Sequence, residues 1–224
     1  MEAVRDDPDR GLIEEILKDP LGPAFEELYR RYKDKIFATA YRVTGRYDEA
    51  ADIVQETFLR VHSKLAKLRF KAKFSSWLYK VCVNLALDSR RRSSLRHAHS
   101  LDETSPTGAS YVNIIADADA TDPEAAAAAS EMSARMQEAL DELSPKLRAV
   151  IVLRYFVGLS YEEVSQVMDM SLGTVKSRIN RAHEQLRPLL AEMAAERRNQ
   201  AVEKEHNDED DDCVIRRRGS RRYP

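Results

Sequence analysis

Apolar residues in this chain recur every three or four positions, the period of one helix face. No comparable strand alternation is present. Phe25, Leu28, Tyr29, Tyr32 and Ile36 predict one amphipathic helix. Ala50, Ile53, Val54, Thr57, Phe58 and Val61 predict a second, and Phe74, Trp77, Leu78, Val81 and Leu85 a third. The periodicity lapses after His97 into Ser, Thr, Pro, Gly and Asp, a linker composition whose one apolar patch is Tyr111 to Ile115. Pro123, with Asp122 as its cap, opens an alanine-rich helix. Ser144-Pro145 opens another, carrying Leu147, Val150 and Ile151, and Gly158 ends it.

The next two helices form a pair. Ser160-Tyr161-Glu162-Glu163 is a capping box, a serine cap with a glutamate three residues on. Asp169-Met170 makes a turn, and Ser171 caps the second helix of the pair. Asp169 stands where glycine is common, but aspartate tolerates such backbone geometry. Val175, Ile179, Ala182 and Leu186 form a buried stripe at spacings of four, three and four. Gly173, Thr174, Lys176, Ser177, Arg178, Asn180 and Arg181 lie off it. A small, basic, hydroxyl-bearing face at a helix start suits a DNA major groove, so the pair reads as a helix-turn-helix. That reading alone leaves repressor, activator and polymerase subunit open.

The fold class is therefore all-α: two small helical domains joined by an acidic flexible linker, the second with the helix-turn-helix. The expected divisions are an N-terminal segment at 1–22, a first domain at 23–95, the linker at 96–129, a second domain at 130–194 and a disordered charged tail at 195–224. The tail ends in opposed charge blocks, acids from Glu203 to Asp212 and arginines from Arg216 to Arg222.

Charge changes this picture, because a net charge of −2 over 224 residues hides segregation. Arg60 to Arg96 holds eleven Lys and Arg against one acid, whereas His97 to Ser133 holds seven acids and neither Lys nor Arg. Cys82, in an apolar run, reads as a core thiol, and Cys213 lies in the polar tail. Neither has a neighbour at metal-ligand spacing. No phosphate loop, His-Glu-x-x-His run or nucleophile motif appears, so the expectation is no enzyme, no cofactor and no metal. With no membrane-length apolar run and no signal-peptide pattern, the expected location is the cytoplasm, without membrane insertion.

From Lys71 to Arg92, aromatic residues lie among cations, with Asn84 in an apolar run. Single-stranded nucleic acid stacks its bases on rings while cations hold its phosphates. Here Phe74, Trp77 and Leu78 also have a place in a core. Asp48, Asp52, Gln55 and Glu56 share one helix face at three- and four-residue spacings.

Three stretches then resemble the extracytoplasmic-function (ECF) group of bacterial RNA polymerase sigma factors. Asp48-Glu49-Ala50-Ala51-Asp52-Ile53-Val54-Gln55-Glu56-Thr57-Phe58 resembles the group's core-polymerase-binding segment. The run from Phe74 to Asp88 is similar to its promoter-melting and minus-ten segment. Gly173-Thr174-Val175-Lys176-Ser177-Arg178 is similar to its minus-thirty-five reader.

The resemblance implies that 23–95 is a sigma region 2-like domain and 130–194 a region 4-like domain. It assigns minus-ten recognition and melting to Lys71, Lys73, Trp77, Lys80, Asn84, Asp88 and Arg91. Minus-thirty-five recognition falls to Gly173, Thr174, Lys176, Ser177, Arg178, Asn180 and Arg181. Core docking falls to Asp48, Asp52, Gln55 and Glu56. The loop from Leu65 to Phe74 would rim a flipped-base pocket, and the acidic linker would thread a positively charged channel of the polymerase. The implied partners are core RNA polymerase, promoter DNA and an anti-sigma factor. The alternatives are a sigma mimic that sequesters an anti-sigma factor and a plain helix-turn-helix repressor.

Overall fold

A computed structural model of the chain describes residues 7–65, 73–97 and 123–218. Among them there are helices and turns but no strand, as an all-α fold requires. The elements are α1 (Arg10–Lys18), α2 (Pro23–Thr44), α3 (Tyr47–Lys64), α4 (Phe74–His97), α5 (Pro123–Asp141), α6 (Pro145–Ile151), a π-helical turn (Val152–Phe156), α7 (Tyr161–Met168) and α8 (Leu172–Arg218). Lys67, Arg69 and Lys71 of the basic loop lie outside the described residues, as do residues 98–122 of the expected linker.

The three predicted N-terminal stripes are α2, α3 and α4, which pack on one another. Leu28, Ile36, Ala40 and Val43 of α2 are fully buried, as are Ala50 and Val61 of α3 and Phe74, Leu78, Cys82, Val83 and Ala86 of α4. Each large apolar side chain so buried contributes roughly 1.5–3 kcal/mol. Burial also pushes the Cys82 thiol up to about 12, so it stays protonated in the core. Gly45, with φ of 73°, lets the chain leave α2 through a left-handed turn.

Three features refine the expected divisions. The N-terminal segment contains α1, which packs on α2 through Ile13 and Ile16. α5 opens at Pro123, where the sequence implies a helix start, inside the span given to the linker. The tail expected to be disordered from 195 continues α8 as helix to Arg218. Ala, Glu, Gln, Lys and Arg are strong helix formers, and no glycine interrupts them before Gly219.

The chain divides into two compact units, one running to Ala182 and one from His183. The first unit holds elements of both expected domains. In it α6 and the π-helical turn pack on α2, and α7 packs on α4. Arg148 of α6 joins them: its side chain is completely buried, and its Nη1 donates to the Val43 carbonyl of α2 at 3.1 Å.

Candidate nucleic-acid interface

The helix-turn-helix is built as the sequence implies. Ser160 Oγ accepts from the Glu163 N–H at 3.1 Å, and the Glu163 carboxylate accepts from the Ser160 N–H at 2.9 Å. Two otherwise unpaired donors at the start of α7 are thereby satisfied. Asp169 closes α7 in the left-handed conformation, φ 49°. Ser171 Oγ then accepts from the Thr174 N–H at 3.2 Å and caps α8. Val175, Ile179 and Ala182 are buried, and Leu186 further along α8 is too.

This burial fixes the opposite face. Gly173, Lys176, Ser177, Asn180 and Arg181 are exposed, while Thr174 and Arg178 are half-buried. Thr174 is partly spent on the cap, its hydroxyl 2.8 Å from that of Ser171. Ser177 Oγ donates to the Thr174 carbonyl, which holds that hydroxyl close to the helix. Lys176, Asn180 and Arg181 are thus the long side chains directed to solvent from the first turns of α8.

A second row lies along α4. Lys73, Trp77, Lys80, Asn84, Asp88 and Arg91 follow one another by three or four positions, so they share one face. Trp77 is half-buried, its ring 6.0 Å from that of Phe74. Asn84 is exposed in spite of its apolar neighbours, and Asp88 pairs with Arg91 at 2.9 Å in the open.

The two lysines nearer the start of α4 already have anionic partners on α7 or its cap. Lys80 Nζ is 2.6 Å from Asp169, and Lys73 Nζ is 3.7 Å from Glu163. Sequence reasoning missed both pairings, because nothing local links residues so far apart in the chain. The same two acids were legible in another role, as the cap and the turn of the helix-turn-helix.

The acidic row on α3 faces solvent. Asp48, Asp52 and Gln55 are exposed, and the half-buried Glu56 pairs with Arg60 at 2.8 Å. Beside them Glu49, not singled out from sequence, is held by the Ser89 and Ser93 hydroxyls of α4, each at 2.7 Å. A groove of about 590 Å³ runs between α3 and α4, lined by Glu49, Asp52, Ile53, Glu56, Leu85 and Leu95 among others. Among the described residues no group of three His, Cys, Asp or Glu is placed to hold a metal ion. No described helix is long and apolar enough to cross a membrane.

The chain's similarities fall along the same division. The family model of Sigma-70 region 2 matches residues 28–96, and that of Sigma-70, region 4, matches residues 133–186. The ECF RNA polymerase sigma factor SigE of Mycolicibacterium smegmatis is 37% identical over 78% of this chain, which spans 64% of that protein. SigW of Bacillus subtilis, also an ECF RNA polymerase sigma factor, is 36% identical over 76% of this chain, which spans 90% of it. Among solved structures, CnrH in complex with the cytosolic domain of CnrY has a TM-score of 0.59 at 26% identity, covering 83% of this chain and 98% of that one.

Proposed function

The chain belongs to the ECF RNA polymerase sigma factors, and from that premise we propose that it binds core RNA polymerase through α3 and carries it to promoters read by α4 and α8. It acts as a cytoplasmic initiation factor and not as an enzyme. The exposed side chains of α8 contact the duplex minus-thirty-five element. The row on α4 then captures minus-ten bases once they leave the stack. The observation that carries the reading is the pairing of two such faces in one chain, each held over its own buried stripe.

The lysine pairs on α4 do not oppose this. An exposed ion pair is worth only ~0–1 kcal/mol, so a phosphate can replace Asp169 or Glu163 at little cost. An anti-sigma factor is the expected regulatory partner, since solved relatives such as the Bartonella quintana sigma factor RpoE are described in complex with one.

In vitro transcription with purified core polymerase across a promoter library tests the function. Gel-shift binding with and without core separates the other readings. A repressor binds its site alone, and a sigma mimic yields no transcript at all. Either result overturns the proposal.

Docking is tested by charge reversal. Asp52→Lys with Glu56→Lys is expected to lower affinity for core polymerase while leaving circular dichroism native, since Asp52 is exposed and Glu56 is off the buried stripe. Normal holoenzyme formation at physiological salt counts against this face. Melting is tested separately. Asn84→Ala is expected to leave closed complexes on duplex promoter intact, because α8 supplies that contact, and to slow opening. A side-chain amide makes paired hydrogen bonds to one base edge, worth roughly 1–3 kcal/mol, and this edge is reachable only after unstacking. Permanganate footprinting of unpaired thymines reports it, and wild-type opening would move the base-reading role away from Asn84.

A further inference from the structure

The sequence at the start of α4 offers none of the usual capping residues. Lys71-Ala72-Lys73 precedes Phe74, with no Ser, Thr, Asp, Asn or Gly at the boundary and no acid in the first turn. A helix N-terminus carries unpaired N–H donors and a partial positive charge, so two lysines before it are unhelpful. An acceptor comes from a segment 67 positions earlier in the chain. Asp7 Oδ2 accepts from the Phe74 N–H at 2.7 Å.

Asp7 is itself held. Its Oδ1 accepts from the Asp9 N–H at 3.0 Å. Asp9 is fully buried, and its carboxylate takes Arg31 Nη1 at 2.7 Å and the Tyr32 hydroxyl. Burial and the hydrogen bond to Asp9 keep that hydroxyl protonated, well above the usual tyrosine range. The Tyr32 ring meets the Phe74 ring edge-on at 6.0 Å between centroids. Asp7, Asp9, Tyr32 and Phe74 therefore close a circuit around the start of α4. Asp7 and Asp9 lie outside the stretch matched by the region 2 family model.

We propose that Asp7, anchored through Asp9, is a positioning residue for minus-ten capture: by capping α4 from a distant segment it fixes where Lys73 and Trp77 stand. This rests on the reading of α4 as the minus-ten reader. Lys73 and Trp77 occupy the cap position and the first turn, the part of a helix that frays when its cap is lost. Asn84 and Arg91, two or more turns further, are held by the packing of α4 and do not depend on Asp7.

The test uses full-length holoenzyme with Asp7→Ala and Asp7→Asn, and Asn84→Ala alongside. Asp7→Ala is expected to slow promoter opening about five-fold, the factor that one lost cap corresponds to. Core affinity and closed-complex formation stay at wild-type levels. Amide hydrogen exchange should rise at residues 74–77 and stay unchanged in the second half of α4. Asp7→Asn retains an acceptor oxygen and is expected to recover at least half of the opening rate. Wild-type opening by Asp7→Ala, with Asn84→Ala slow, overturns the proposal and leaves the reading of α4 intact. Wild-type opening by Asn84→Ala instead strikes at that reading. Loss of core affinity and closed complexes together with opening would make Asp7 a general structural residue, and an equal defect in Asp7→Asn would exclude the hydrogen bond; both overturn the proposal.

Discussion

Arg148→Ala is expected to cost roughly 2–4 kcal/mol of folding stability, read as a lower urea midpoint. The guanidinium is the largest fully buried side chain among the described residues. Its Nη2 donates to the Asp141 carbonyl at 2.8 Å and to the Leu143 carbonyl at 3.4 Å, while Nη1 donates to the Val43 carbonyl and pairs with the Asp141 carboxylate at 2.5 Å. Alanine leaves these buried acceptors short of a donor and opens a cavity between α2, α5 and α6. A fully buried ion pair loses more, roughly 3–5 kcal/mol, when one partner is removed. The lower figure applies here because the Asp141 side chain is 44% exposed and stays solvated without its arginine. The asymmetry is itself testable. Asp141→Asn keeps an acceptor oxygen toward Arg148 but withdraws the carboxylate that faces a completely buried guanidinium, and is expected to cost roughly 1–2 kcal/mol, whereas Arg148→Met fills the volume without supplying donors and costs less than Arg148→Ala. Equal effects of Arg148→Ala and Asp141→Asn would mean that the ion pair, and not the carbonyl contacts, is what Arg148 contributes.

Arg148 also marks where the sequence stops being readable. An arginine three residues into an amphipathic helix looks like any solvated cation, and its burial depends on the Val43 carbonyl, more than a hundred positions earlier in the chain. The π-helical turn is equally hidden in the sequence. Val157 donates to the Val152 carbonyl at 3.0 Å, and Tyr155 and Phe156 emerge exposed, with the Arg42 guanidinium 4.3 Å from the Phe156 ring centroid. Nothing in Val152 to Phe156 announces that contact. Asp7 is invisible as a cap in the sequence because it acts on a helix that begins at Phe74.

The legible part is local. The capping box at Ser160 and Glu163, the left-handed Asp169 and the Ser171 cap each concern groups within three residues. The stripes of α2, α3, α4 and α8 arise from a 3.6-residue repeat that needs no partner to be recognised. Positions off the buried stripes of those helices can therefore be told from periodicity alone. The ion pairs of Lys73 and Lys80, which join α4 to acids of the helix-turn-helix, require the fold. The tail misleads because its charge content suggests disorder while its helix formers favour the continuation of α8.

The face of α8 carries the second large expected effect. Lys176 and Arg181 are exposed and make none of the buried contacts of the stripe, so replacing both by alanine should leave the unfolding transition unchanged. Loss of a base contact costs roughly 1–3 kcal/mol, and two independent losses add when the sites do not share a partner. Transcription from a cognate promoter is then expected to fall by at least ten-fold in the double variant, with core affinity untouched. The single variants separate two kinds of contact. A side chain that only neutralises a phosphate weakens binding to every sequence alike and lowers the salt slope by about 1. One that reads a base edge relaxes preference at a single promoter position and leaves the slope nearly as it was. Arg181 presents a planar fork suited to paired hydrogen bonds with guanine, whereas Lys176 acts more nearly as a point charge. The expected result is a loss of sequence preference for Arg181→Ala and a reduced salt slope for Lys176→Ala, measured on holoenzyme with a panel of minus-thirty-five variants. Promoter output unchanged in the double variant would remove α8 as the reader.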